Sequence, residues 1–360
     1  MLLGYSLTPF GHHPDAWRQA QDGSLLGFDA LLEQVSVAEA AGFDFVLLND
    51  RLGIRPTDNL SPVAVPFEPT LLASALVTRA GGIGILAAAS TAQHEPYNLA
   101  RRFASLDLIS EGRSGWLALN GGTDPAREHE YLDVVTALWD SFEDDAFLYD
   151  KASGRFFDPG KMHVVHHKGA HLSVRGPLNV NRSPQGRPVL AQIVSEGDGP
   201  LAVQTGELFL LHAKSPEGLI EIARKATREI EAAGKGKGEI KLLANLVPVV
   251  ATSKNAANEA SATLKLTEQS GAAQPLSALP IVGTASVVAD RLQELSSAAS
   301  LDGFTILPPT LEMGQRFLAE VVPELRRRGV VDAKFAGTLR DRLGLRRPVH
   351  PASRHPEVSR

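Results

Sequence analysis

Polar residues able to hold a ligand stand just past the apolar runs of strand length. Asn49 and Asp50 follow the second run, Ser90 and Thr91 the third, Asn120 the fourth, and Ser195 with Glu196 the fifth, which also contains Gln192. Small hydroxyl and amide side chains hydrogen-bond a polar ring or a phosphate without adding net charge. Ser, Asn and Asp are also favoured helix caps, so each position alone has a second reading, and the set is more informative than any member. Histidine is the other chemistry-bearing type. His12-His13 follows the first run and His94 the third, places suited to proton handling or to ordinary hydrogen bonding. His163, His166, His167 and His171 crowd a later segment and invite a metal reading. His163, His167 and His171 are spaced by four, but none is followed by the glutamate of an H-E-x-x-H site and the segment lacks a clean helical pattern, so Met162–Gly169 reads as a loop and edge ribbon, and no metal is expected.

These residues need a scaffold that brings strand ends together. Leu2–Leu7 is a first strand. Phe28, Leu31, Leu32, Val35 and Ala38 then recur at helical spacing, and Gly42 is placed to end that helix in the left-handed conformation. The unit repeats. Strands are expected at 43–48, 83–89, 114–119, 188–193, 208–212, 242–251 and 304–307, with helices near 70–79, 96–110, 127–140, 216–233 and 311–328. An irregular insertion fills about 141–187, Gly234–Gly238 reads as an exposed turn, and the Pro-, Arg- and His-rich tail from Arg346 reads as surface chain or disorder. Strand–helix alternation with short links calls for a parallel sheet, because parallel strands need crossovers. Eight strands point to closure as a (β/α)8 TIM barrel in one domain over 1–345. There is no G-x-G-x-x-G after the first strand, which a doubly wound sheet often carries. In a barrel the active site lies at the C-terminal ends of the strands, where the polar set falls.

Bulk properties agree. The 360 residues suit a barrel of roughly 250 residues plus insertions. A net charge of −5 argues against a phosphate-backbone binder. The absence of cysteine excludes disulfides, thiolate metal sites and a thiol nucleophile. No signal peptide is read at Met1–Tyr5, and no apolar stretch reaches the roughly 20 residues of a membrane span. A soluble, cytoplasmic protein is expected.

The motif Glu95-Pro96-Tyr97 with Arg101-Arg102-Phe103-Ala104-Ser105-Leu106-Asp107 resembles the third helix of the nitrilotriacetate and dibenzothiophene-sulfone monooxygenase branch of the bacterial-luciferase-like superfamily. Gly112–Trp116, Leu138–Ser141, Val174–Val180, Pro184–Val189, Asp302–Phe304 with Pro308-Pro309, and Gly337–Arg340 are similarly close, and the resemblance covers about His13 to Pro348. It implies reduced FMN supplied by a separate flavin reductase, O2 as co-substrate, insertion of one oxygen atom into a small organic substrate, and a homodimer. It places Asp50 near the flavin ring and Ser90-Thr91 in a turn that often carries a non-proline cis peptide in the superfamily. It places Ser195 at the FMN phosphate and His94 facing the pocket. Asn120, Gln192 and Glu196 complete the expected cofactor set, and His94 and His13 are the catalytic candidates.

Three departures lie on the cofactor side. Leu117 stands where the branch has a flavin-contacting asparagine. Gly121–Pro125 is shorter than the branch's loop. Ile193-Val194-Ser195 replaces a glycine-containing turn, and bulk there hinders backbone approach to a phosphate. A non-catalytic or weakly flavin-binding paralogue, acting as a structural or regulatory subunit, is therefore the alternative, and an oxidoreductase using a deazaflavin a third reading.

Overall fold

The computed structural model describes residues 1–19, 23–50, 67–120, 124–264, 278–331 and 337–354. The strands of the main sheet are Leu2–Leu7 (β1), Phe45–Leu48 (β2), Gly84–Ser90 (β3), Ser114–Leu119 (β4), Val189–Ser195 (β5), Leu208–His212 (β6), Lys241–Val250 (β7), Leu279–Gly283 (β8) and Gly303–Ile306 (β9). Eight of them close a parallel ring in the order β1-β2-β3-β4-β5-β6-β7-β9, and β9 returns to β1. Strand β8 stays outside the ring, paired to the C-terminal half of β7 from Leu246 to Val250. The expected barrel is therefore present, with strand limits within two residues of those read from the apolar runs.

Burial on both faces explains why these strands read as continuous apolar runs. Alternate residues point inward. Phe45, Leu47, Leu86, Leu117, Ala191 and Leu210 pack inside the ring, while Val46, Leu190 and Phe209 join the larger core against the helices. The interior has room for a Phe45 ring only because β1 carries Gly4, where a Cβ would lie 2.3 Å from the ring.

The longer helices are Phe28–Ala40 (α1), Pro69–Val77 (α2), Pro96–Ile109 (α3), Pro125–Trp139 (α4), Pro216–Ala232 (α5), Lys254–Thr263 (α6) and Ala285–Ala298 (α7). Proline at the first turn and a side-chain cap start several of them: Glu68 before α2, Asp124 before α4 and Ser215 before α5. Gly42 has the expected positive φ, 77°. Strand β8, α6 and α7 all fall between the seventh and eighth strands of the sequence reading, where no element was expected. The single helix expected over 311–328 is interrupted by a π turn at Phe317–Val321.

The N-terminal end of the barrel is closed by Leu339, Leu343 and Leu345, with Arg340 among them. Its buried guanidinium bonds both Glu207 oxygens at 2.6 and 2.9 Å and the carbonyls of Gln185, Arg187 and Arg346. The tail expected to be loose surface chain does run over the surface from Arg346 to Ser353, but it is tied down. His350 is buried, its Nε2 donates to the Asp140 carbonyl at 2.9 Å, and Arg347 grips Asp144. Among the described residues no helix is long and apolar enough to cross a membrane.

Candidate active site at the barrel mouth

Strand alternation decides which polar residues reach the mouth. The layer above the apolar interior is formed by Ser6 on β1, Asn49 after β2, Ser90 on β3, Leu119 on β4, Ile193 and Ser195 on β5, His212 on β6, Asn245 on β7 and Thr305 on β9. Asn49 Nδ2 donates to Ser6 Oγ at 3.4 Å. His212 is the register partner of Ser195, and its Nδ1 lies 3.5 Å from Asn245 Nδ2. Asn245 is in turn the partner of Thr305. Three polar atoms here are buried without a partner among the described residues: Asn245 Oδ1, Thr305 Oγ1 and, on the loop after β1, His12 Nε2. Such an atom costs about 1–3 kcal/mol, so a mouth with three of them is built to meet a water or a ligand.

The sequence-predicted residues divide. Ser90 faces the mouth, fully buried, and its Oγ accepts from Ala92 N. Ser195 faces it too, with its N–H given to Asp198 Oδ2 at 2.7 Å. Asp50 is half-buried at the end of β2, and Asn120 is exposed at the end of β4. Gly121–Thr123, part of the shortened loop, lies outside the described residues. His94 donates Nδ1–H to the Ser90 carbonyl at 3.0 Å, which leaves Nε2 with an unshared pair. Its own carbonyl accepts the Tyr131 hydroxyl at 2.8 Å, so that aromatic braces the rim.

Four residues do not serve as expected. Thr91, one past the inward Ser90, turns outward and donates its hydroxyl to Glu128 on α4. Gln192 lies between the inward Ala191 and Ile193 and so points to the helix layer, beside Gly206. Glu196 lies over the start of α5: its Oε1 is 3.4 Å from Lys214 N, and a Cβ on Gly218 would sit 2.4 Å from it. A carboxylate there satisfies the helix N-terminus and repels a phosphate. His13 has both ring nitrogens on the main chain, Nδ1 accepting from Asp15 N at 3.1 Å and Nε2 donating to the Leu264 carbonyl at 2.8 Å. The Ser90–Thr91 peptide is not cis; among the described residues the cis bond is Gly176–Pro177.

His12, the neighbour of His13, is the histidine with a buried unpartnered nitrogen. Burial pushes its pKa down to about 4, opposed by a hydrogen bond to the Ser6 main chain. His212 is also lowered, first by burial and then by Lys214. Both rings are neutral near pH 7. Ser6, His212, Asn245 and Thr305 were not among the expected residues because they lie within the strands, not past them. The i, i+2 spacing from Leu208 and Leu210 to His212 would have found one of them.

The insertion histidines are spent elsewhere. His167 meets Glu130 at 2.8 Å and His171 approaches Asp124 at 3.6 Å. His163, Glu143 and His350 bring three ligand-type atoms within 4.8 Å of one another. His350, however, uses Nε2 on the Asp140 carbonyl and Nδ1 on Ala352 N, so the group reads as a hydrogen-bonded anchor for the tail.

A cavity of about 220 Å³ opens beside Ser195, between the loop after β5 and α5, lined by Val194, Leu201, Gly218, Glu221 and Lys225. Residues 7–300 match the luciferase-like monooxygenase family. The chain belongs to that family. It is 33% identical to N-acetyl-S-(2-succino)cysteine monooxygenase of Bacillus subtilis (strain 168) and 32% identical to nitrilotriacetate monooxygenase component A of Aminobacter aminovorans, with 97% of each chain covered in both cases. The crystal structure of riboflavin lyase with modified FMN and substrate riboflavin superposes with a TM-score of 0.80 at 27% identity, covering 99% of both chains. Within the Arg101–Asp107 motif, buried Asp107 receives hydrogen bonds from Ser114, Ser183 and Gln185 and so locks α3 to β4 and to the insertion.

Proposed function

We propose that this chain is an FMN-dependent monooxygenase that receives reduced flavin from a separate reductase, inserts one oxygen atom from O2 into a small organic molecule, and works as a homodimer. The observation that carries the reading is the family match over residues 7–300 combined with a mouth lined by neutral hydrogen-bonding side chains. Both support catalysis over a purely structural subunit. The chemistry a reduced flavin brings when bound is two-electron reduction of O2, one oxygen entering the substrate and the other leaving as water.

The residues present fit the group. Ser6, Asn49 and Ser90 offer two hydroxyls and an amide on three neighbouring strands, and Leu119 and Ile193 continue the same layer with apolar surface. That combination suits a flat ring that is polar along an edge and apolar across its faces. Leu117, one layer lower and fully buried, packs in the barrel interior. Asp50 and Asn120, at the strand ends, would hold polar edges of the ring. The cavity beside Ser195 is smaller than the about 300–1,000 Å³ of whole-ligand pockets, a size for the phosphate end alone. His94 Nε2 is available to hold a proton on the substrate side. The apolar stretch over β4 and β5 excludes water where oxygen chemistry needs a dry surface.

Two substitutions test the phosphate end. Ser195→Ala is expected to weaken reduced-FMN binding by about 1–2 kcal/mol, roughly five- to thirtyfold, in anaerobic equilibrium dialysis. Glu196→Gln removes a like charge near the phosphate and is expected to tighten binding by roughly two- to fivefold. If Ser195→Ala leaves the affinity unchanged, or Glu196→Gln weakens it, the phosphate does not lie there.

A further inference from the structure

The arc of the mouth on β6, β7 and β9 is chemically distinct from the part assigned to the flavin. We propose that His212, Asn245 and Thr305, with His12 above them, bind an uncharged amide-like group of the substrate, one that carries both a donor and a carbonyl. The inference deepens the monooxygenase reading and takes its meaning as a substrate site from it.

The hydrogen-bond inventory sets the complement. His212 Nδ1 accepts from Asn245 Nδ2, so the proton of the neutral ring is on Nε2, which is a donor. Asn245 Oδ1 is a buried acceptor, and Thr305 Oγ1 can do either. His12 adds a buried ring nitrogen without a partner, Nε2, which donates or accepts according to its tautomer. One donor, one acceptor, one hydroxyl and this ring nitrogen fit a group with an N–H and a C=O side by side. A carboxylate fits poorly, because it has no proton for Asn245 Oδ1.

Charge points the same way. Among the described residues no arginine or lysine belongs to this arc. The nearest ionised groups are Lys214, Glu196 and Asp198 at the exposed edge, where acidic groups outnumber the basic one. Among the described residues, a polyanion in this arc has no counter-charge beside it to offset its desolvation.

The test is histidine-selective NMR of the full-length, flavin-free protein titrated with three probes: 2-pyrrolidinone, N-methyl-2-pyrrolidinone and tricarballylate. The expected result is a saturable shift of the His212 and His12 ring signals with 2-pyrrolidinone, leaving His163 and His171 unmoved. The N-methyl compound, which lacks the N–H, is expected to bind roughly tenfold more weakly, and tricarballylate not at all. Asn245→Leu is expected to weaken 2-pyrrolidinone roughly tenfold, with Thr305→Val, a smaller change, guarding against misfolding of the first variant. Shifts with tricarballylate as large as with the lactam would overturn the proposal, as would rings that none of the probes moves, which means that water alone fills the arc. Because no flavin is present, these outcomes are read separately from FMN binding. A lactam site in a chain that fails to bind FMN would leave the arc standing and remove the monooxygenase reading.

Discussion

Arg340→Met is expected to destabilise the fold by about 3 kcal/mol while leaving reduced-FMN affinity of the folded protein unchanged. Arg340 sits at the closed end of the barrel, opposite the mouth, where structural roles are expected. Its side chain is 2% exposed and Glu207 18%. Removing the cation strands a mostly buried carboxylate and leaves the Gln185, Arg187 and Arg346 carbonyls without their donor. Breaking such a pair costs about 3–5 kcal/mol, and the partial exposure of Glu207 places the effect at the lower end. Urea denaturation checks it. The double change Arg340→Met with Glu207→Leu, which removes both charges, is expected to recover part of the loss. A single substitution that shifts the urea midpoint by less than 1 kcal/mol equivalent, about a fifth of the upper figure, would show that the cluster does not hold the barrel closed.

Acidification is expected to destabilise the protein by about 3 kcal/mol through His12. The folded ring has a pKa near 4, depressed by burial, against 6.5 for an ordinary histidine. Between these values the unfolded chain holds a proton that the folded chain does not, so stability rises with pH through this window. The contribution is fully present above 6.5, is lost as pH falls towards 4, and changes no further below that. His212, lowered in the same direction, adds to the same limb. His12→Gln is expected to flatten the dependence of urea stability on pH between about 4.5 and 6.5. Carboxylates held down by arginines, such as Asp144, act below that window and do not confuse it. An unchanged slope in the variant would mean that His12 is hydrated or charged in the folded protein.

The barrel was legible because each strand is buried on both faces and so stands out as an apolar run between helix-period segments. What escaped were elements without that contrast. Helix α6, with sequence KNAANEASAT, buries only Ala257, and β8 is a five-residue strand outside the ring. The site was partly legible for a different reason. Ser90 and Ser195, at the ends of their apolar runs, do face the mouth, whereas Thr91 is turned by a one-residue step to the other face. His12 and His13 are adjacent in an irregular loop, where no period separates the one with a free nitrogen from the one tied at both. Glu196 is matched to a helix start about twenty residues later in the chain, a pairing only the fold creates. Leu117 and Ile193, two of the departures on the cofactor side, are apolar side chains of the barrel interior and of the layer packed against it.

Anaerobic titration of the flavin-free protein with reduced FMN tests the flavin-binding mouth most directly. Saturable one-to-one binding with a Kd below about 50 µM, weakened by Ser195→Ala, is the predicted result. No saturable binding at that concentration would contradict it.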